Sequence, residues 1–86
     1  MTKYEYNLCF EDGMVSSGIR STSFSLKELQ EFVGGRIEIL PVKVPGKQGF
    51  ENVYVVSEDG IYKHKPNIRF PQFYGPVLIA NKNLIK

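Results

Sequence analysis

At 86 residues, with 42% hydrophobic and 13% aromatic side chains, the chain has material for one packed core and too little length for two. This excludes a disordered chain, and the expected organisation is a single domain over residues 1–86. The net charge of +2 hides a polarity, because residues 1–40 carry four basic and six acidic side chains whereas residues 41–86 carry seven and three.

One cysteine, Cys9, excludes an internal disulfide and points to a reducing compartment. Met1-Thr2-Lys3-Tyr4-Glu5 is charged where a signal peptide needs an apolar run, and no stretch approaches the roughly 18 apolar residues of a membrane span. The expected setting is cytoplasmic and away from membranes.

Tyr4, Tyr6, Leu8 and Phe10 alternate with Lys3, Glu5, Asn7 and Cys9, which predicts a strand with one buried and one wet face. Asp12-Gly13 marks a turn, and a weaker strand over residues 14–22 completes a hairpin. Ser25-Leu26-Lys27-Glu28 has the form of a capping box and opens a helix to about Val33, with Leu26, Leu29, Phe32 and Val33 on one side. Gly34-Gly35 ends it, since glycine accepts the left-handed cap conformation.

Residues 36–40 resume strand alternation, and Pro41 and Pro45 predict that an edge or a bend follows. Residues 43–49 form a polar loop punctuated by proline and glycine. Val53-Tyr54-Val55-Val56 and Ile61-Tyr62 flank Ser57-Glu58-Asp59-Gly60 and predict a second hairpin. Pro66 and Pro71 break regular structure, Val77-Leu78-Ile79-Ala80 suits a buried last strand, and the polar tail from Asn81 is expected to fray. One short helix cannot supply the crossovers of a parallel sheet. The fold class is therefore α+β, with a mostly antiparallel sheet of five or six strands and one helix packed against it.

Ser25 to Ile39, with its short helix, Val33-Gly34-Gly35 break and Ile37-Glu38 strand, resembles a family of uncharacterised small domains encoded by phages and other mobile elements. Residues 53–60, Pro66-Asn67 and residues 73–79 resemble that family's later segments, so the likeness spans roughly residues 25–80. It implies a phage, plasmid or integrated-element origin and carries no activity with it.

No catalytic, cofactor or metal constellation is expected. Gly34-Gly35 lies at a helix C-terminus, the wrong pole for a phosphate, and reads as a cap. His64 is the lone histidine and reads as a solvent-exposed side chain, Cys9 has no Cys-x-x-Cys partner, and Glu28, Glu31 and Glu38 read as solvated or capping charges. From Ile61 onward no acidic residue occurs, and Lys63, Lys65 and Arg69 interleave with Tyr62, Phe70 and Tyr74. These six residues are the candidate contact surface. The expected function is that of a non-enzymatic module binding another protein through a sheet edge or the 43–49 loop. The alternative is nucleic-acid binding, with Tyr62, Phe70 or Tyr74 stacking on bases and the cations tracking phosphates.

Overall fold

The computed structural model describes residues 2–85. Strands β1 (Tyr4–Cys9) and β2 (Val15–Arg20) form an antiparallel hairpin. Its turn is closed by Gly13 N–H donating to the Phe10 carbonyl at 2.9 Å and Phe10 N–H donating to that of Met14 at 2.8 Å. Gly13, at φ 91°, takes the bulge position that a side chain would resist. β1 stops at Cys9, one residue short of the Phe10 expected from alternation.

Helix α1 (Leu26–Val33) begins as its chemistry predicts, with Ser25 Oγ accepting from Glu28 N–H at 3.1 Å and Ser25 N–H donating to Glu28 Oε1 at 2.9 Å. It ends at Gly34, whose φ of 79° lets the N–H groups of Gly34 and Gly35 both reach the Gln30 carbonyl. Leu29 and Val33 are buried and Phe32 is half-buried against Phe10, but Leu26, expected on the same face, stays exposed in the first turn.

Strands β3 (Ile37–Pro41) and β4 (Asn52–Ser57) pair across the 42–51 loop, and β5 (Val77–Asn81) lies between β4 and β1. The sheet runs β2-β1-β5-β4-β3 and every neighbouring pair is antiparallel. The fold is thus α+β, with five strands.

The expected hairpin of residues 53–62 does not form. Val77-Leu78-Ile79-Ala80 is apolar on both faces and takes the central position beside β4, so Ile61 and Tyr62 have no strand to join. They lie instead in the short helix α2 (Gly60–Lys63). The close approach of two chain segments at Gly60 requires a glycine, since a Cβ there would sit 2.6 Å from the Tyr74 carbonyl oxygen. The expected fraying of the tail is also corrected. Residues Lys82–Leu84 form a 3-10 turn, Leu84 is fully buried, and its carbonyl accepts from Phe24 N–H at 2.8 Å.

Two clusters follow from this layout. On one sheet face, Leu29 and Val33 of α1 pack with Val53, Val55, Leu78, Ala80 and Leu84. Burying such aliphatic side chains stabilises by roughly 1.5 to 3 kcal/mol each. On the other face, Cys9, Val56 and Val77 are covered by Phe70 and Phe73, whose rings pack against Tyr54 at 5.7 and 5.2 Å. The second face of β1 is therefore not uniformly wet: Cys9 is buried because residues 64–76 fold back over that end of the sheet.

Candidate docking edge

Asn67 fastens residues 64–76 to the sheet. Its Nδ2 donates to the Gly75 carbonyl at 2.9 Å and to those of Cys9 and Phe10 at 3.2 Å, while its Oδ1 accepts from Arg69 N–H at 2.9 Å and Phe70 N–H at 3.1 Å. Carbonyls on one side and N–H groups on the other admit one amide orientation only. At 1% exposure the side chain is a satisfied buried polar group, which sequence reading registered merely as part of a break at Pro66.

This fastening separates the six residues singled out by sequence. Arg69 turns back to the β1–β2 turn, where Nε donates to the Gly13 carbonyl at 2.6 Å. Lys63 pairs with Asp59 at 3.0 Å along α2. Phe70 belongs to the second core and Tyr74 is half-buried, with Pro66 bridged to it across the base of the segment. Lys65 and Tyr62 remain exposed, Tyr62 at 87%. The structure brings Phe70 against Tyr54, whereas Lys63 and Arg69 are engaged by separate local partners.

His64 departs from its expected exposure. Its ring is half-buried, with Cγ 2.7 Å from where a Cβ on Gly75 would lie, so glycine at 75 makes room for it. Nδ1 faces Glu11 Oε2 at 3.5 Å, and Nε2 is buried without a hydrogen-bond partner among the described residues. Burial pushes the Cys9 thiol up, partly offset by Arg69, which disfavours the reactive thiolate. Among the described residues no three His, Cys, Asp or Glu side chains converge into a metal-binding group.

The sheet has two edges of opposite character. In the β1–β2 hairpin the Phe10–Met14 bond sets the alternation, so Ser16, Gly18 and Arg20 turn their main-chain groups to β1. Val15, Ser17 and Ile19 turn theirs outward, where they meet no strand among the described residues. At the far edge the Val42–Asn52 and Arg36–Glu58 bonds set the alternation, and Ile37, Ile39 and Pro41 face outward. Pro41 has no N–H, which blunts this edge at the Pro41 end and leaves Ile37 and Ile39 alone to present outward N–H groups. β2 carries no proline, and its one charge, Arg20, is occupied by Glu28 at 3.1 Å and by the Thr22 and Ser23 carbonyls. An arginine that stacks 4.1 Å over the Phe24 ring and donates to four oxygens gives the edge little protection.

Beside β2 the sheet face left uncovered by residues 64–76 forms a shallow cleft of about 570 Å³, lined by Glu5, Tyr6, Asn7, Ser17, Gly18 and Ile19. Exposed apolar side chains, Val15 at 43% and Ile19 at 61%, flank Ser17 along the edge. The sequence predicts a weaker strand over residues 14–22, but whether it forms an edge depends on which strand becomes peripheral. No helix of the described residues is long and apolar enough to cross a membrane. No family model, no curated protein and no solved structure matches the chain.

Proposed function

We propose that this protein is a non-enzymatic protein-binding module that adds an extended segment of another polypeptide to the open edge of β2. The observation that supports this is the contrast between the edges: Val15, Ser17 and Ile19 hold their main-chain groups outward, while β3 is blunted by Pro41. Strand addition draws its affinity from main-chain hydrogen bonds and its selectivity from alternate side chains, here Val15 and Ile19. The single buried thiol fits an intracellular setting, and the likeness of residues 25–80 to mobile-element domains supports a phage or mobile-element origin. Nucleic-acid binding by the basic C-terminal third has less support, because Lys63, Arg69 and Phe70 are committed to contacts within the chain.

The test is affinity capture at high salt with two variants. Ser17→Pro removes an outward N–H from an edge strand and leaves the main-chain bonds to β1 in place, losing only the exposed bond that Ser17 Oγ donates to Asn7 Oδ1. The wild type is expected to retain a protein partner that Ser17→Pro loses and that the Lys63→Ala, Lys65→Ala, Arg69→Ala triple variant keeps. A partner lost from the triple variant and retained by Ser17→Pro would overturn the reading in favour of phosphate-type contacts.

A further inference from the structure

We infer that the polypeptide taken up by this edge is β2 of a second copy of the chain, paired antiparallel about a two-fold axis through Ser17. The inference rests on the edge reading above and names its partner. It follows from the self-complementarity of Val15–Arg20. Antiparallel pairing about Ser17 sets Val15 opposite Ile19 of the other copy, Ser17 opposite Ser17, Ser16 opposite Gly18 and Met14 opposite Arg20. The residues that then face each other with main-chain groups are Val15, Ser17 and Ile19, the ones whose N–H and C=O point outward in each copy.

Side chains choose between registers. Pairing about Ser16 preserves the hydrogen-bond alternation but sets Ile19 against Gly13 in the turn, and pairing about Gly18 sets Val15 against Ser21. Only the register about Ser17 places both exposed apolar side chains against apolar partners, one pair on each side of the axis. It also opposes no like charges, because Arg20, the strand's one charge, meets Met14 and is already held by Glu28. On the helix-bearing face, Ser16 and Gly18 are small where the two strands would meet, and the Tyr6 ring already fills the space over Gly18. The axis stands normal to the sheet, so the five strands of each copy continue into one sheet with both α1 helices on the same side. An interface of one strand edge and two apolar pairs is small, so the dimer is concentration-dependent rather than obligate.

Sedimentation equilibrium of the full chain over a wide concentration range tests this. The average mass is expected to rise from 9.8 kDa toward twice that value. Ser17→Pro is expected to weaken association roughly tenfold or more with unchanged circular dichroism, whereas Ser17→Ala, which loses the same hydroxyl bond to Asn7 but keeps the N–H, should associate like the wild type. A Val15→Lys, Ile19→Lys copy and a Val15→Glu, Ile19→Glu copy should each stay monomeric alone and associate when mixed. Wild-type protein that stays at monomer mass at the highest concentration overturns the second-copy partner and leaves the edge reading to the capture experiment. A dimer unaffected by Ser17→Pro places the interface between copies elsewhere and overturns the second-copy partner at this edge. Failure of the lysine and glutamate copies to associate overturns the register.

Discussion

Replacing Asn67 by alanine removes the buried side-chain bonds that fasten residues 64–76 to the end of β1, leaving the Arg69–Gly13 and Ile68–Glu11 bonds and the Phe70 and Phe73 packing. The two Nδ2 hydrogens serve the Gly75 carbonyl and, in a shared bond, those of Cys9 and Phe10, while Oδ1 serves two N–H groups. Taking about 1 kcal/mol for each of roughly four net hydrogen bonds, and allowing for buried groups left without partners, the loss is about 3 to 5 kcal/mol. Against a total of roughly 5 to 10 kcal/mol for a chain of this size, that is a large fraction. Urea denaturation measures the global loss, and the rate of Cys9 labelling by a thiol reagent measures local release, because Cys9 lies beneath the fastened segment. Labelling should accelerate in native conditions for Asn67→Ala. Asn67→Asp keeps both accepted bonds but turns a carboxylate toward three carbonyl oxygens, so it should be at least as destabilised at neutral pH. Its folded-state pKa is then raised, and part of the deficit should recover as acidification restores a donor. Both variants within about 0.5 kcal/mol of the wild type, with Cys9 labelling unchanged, would refute the reasoning.

Gly34 occupies the left-handed cap at φ 79°, so Gly34→Val should cost about 1 to 2 kcal/mol in thermal or chemical denaturation, and an unchanged melting temperature would contradict the cap. Gly60→Ala forces a Cβ against the Tyr74 carbonyl oxygen, a main-chain atom, and should cost about 1 to 3 kcal/mol, measured the same way. The Ser25 N–H and Arg20 hold the Glu28 carboxyl below its ordinary value, and Lys63 and Ser57 do the same for Asp59. A depressed folded-state pKa contributes stability above the ordinary carboxylate range and loses it as pH falls through the folded value. Glu28→Gln should therefore flatten the acid limb of a melting-temperature profile, and an acid slope equal to that of the wild type would count against the capping role.

What was legible in the sequence is local chemistry. The Ser25–Glu28 box and the Gly34 cap act within one or two helical turns, and the Asp12-Gly13 turn acts within a hairpin, so residue type and spacing suffice. The misread hairpin of residues 53–62 is a competition between distant segments. Ile61-Tyr62 is close in sequence to β4, but the more apolar Val77–Asn81 reaches the same position and buries more surface. Asn67 shows the same limit, since one of its partners, the Cys9 carbonyl, lies 58 residues away along the chain. The basic and aromatic run after Ile61 looked like a surface because its members are neighbours in sequence. Folding sends Arg69 to Gly13, Lys63 to Asp59 and Phe70 into the core. The β2 edge was legible as a strand and illegible as an edge, because strand order is set by the whole sheet.

The central claim, that β2 accepts another strand, is tested most directly by residue-resolved amide exchange within this one hairpin. Ser16 and Gly18 bond to β1 and should be protected at every concentration, while Val15, Ser17 and Ile19 should exchange quickly in dilute protein. On raising the concentration, or on adding a captured partner, the account predicts that protection appears at Val15, Ser17 and Ile19 together. Fast exchange at all three in the bound state, with new protection confined to residues 62–74 or to the 43–49 loop, would contradict it.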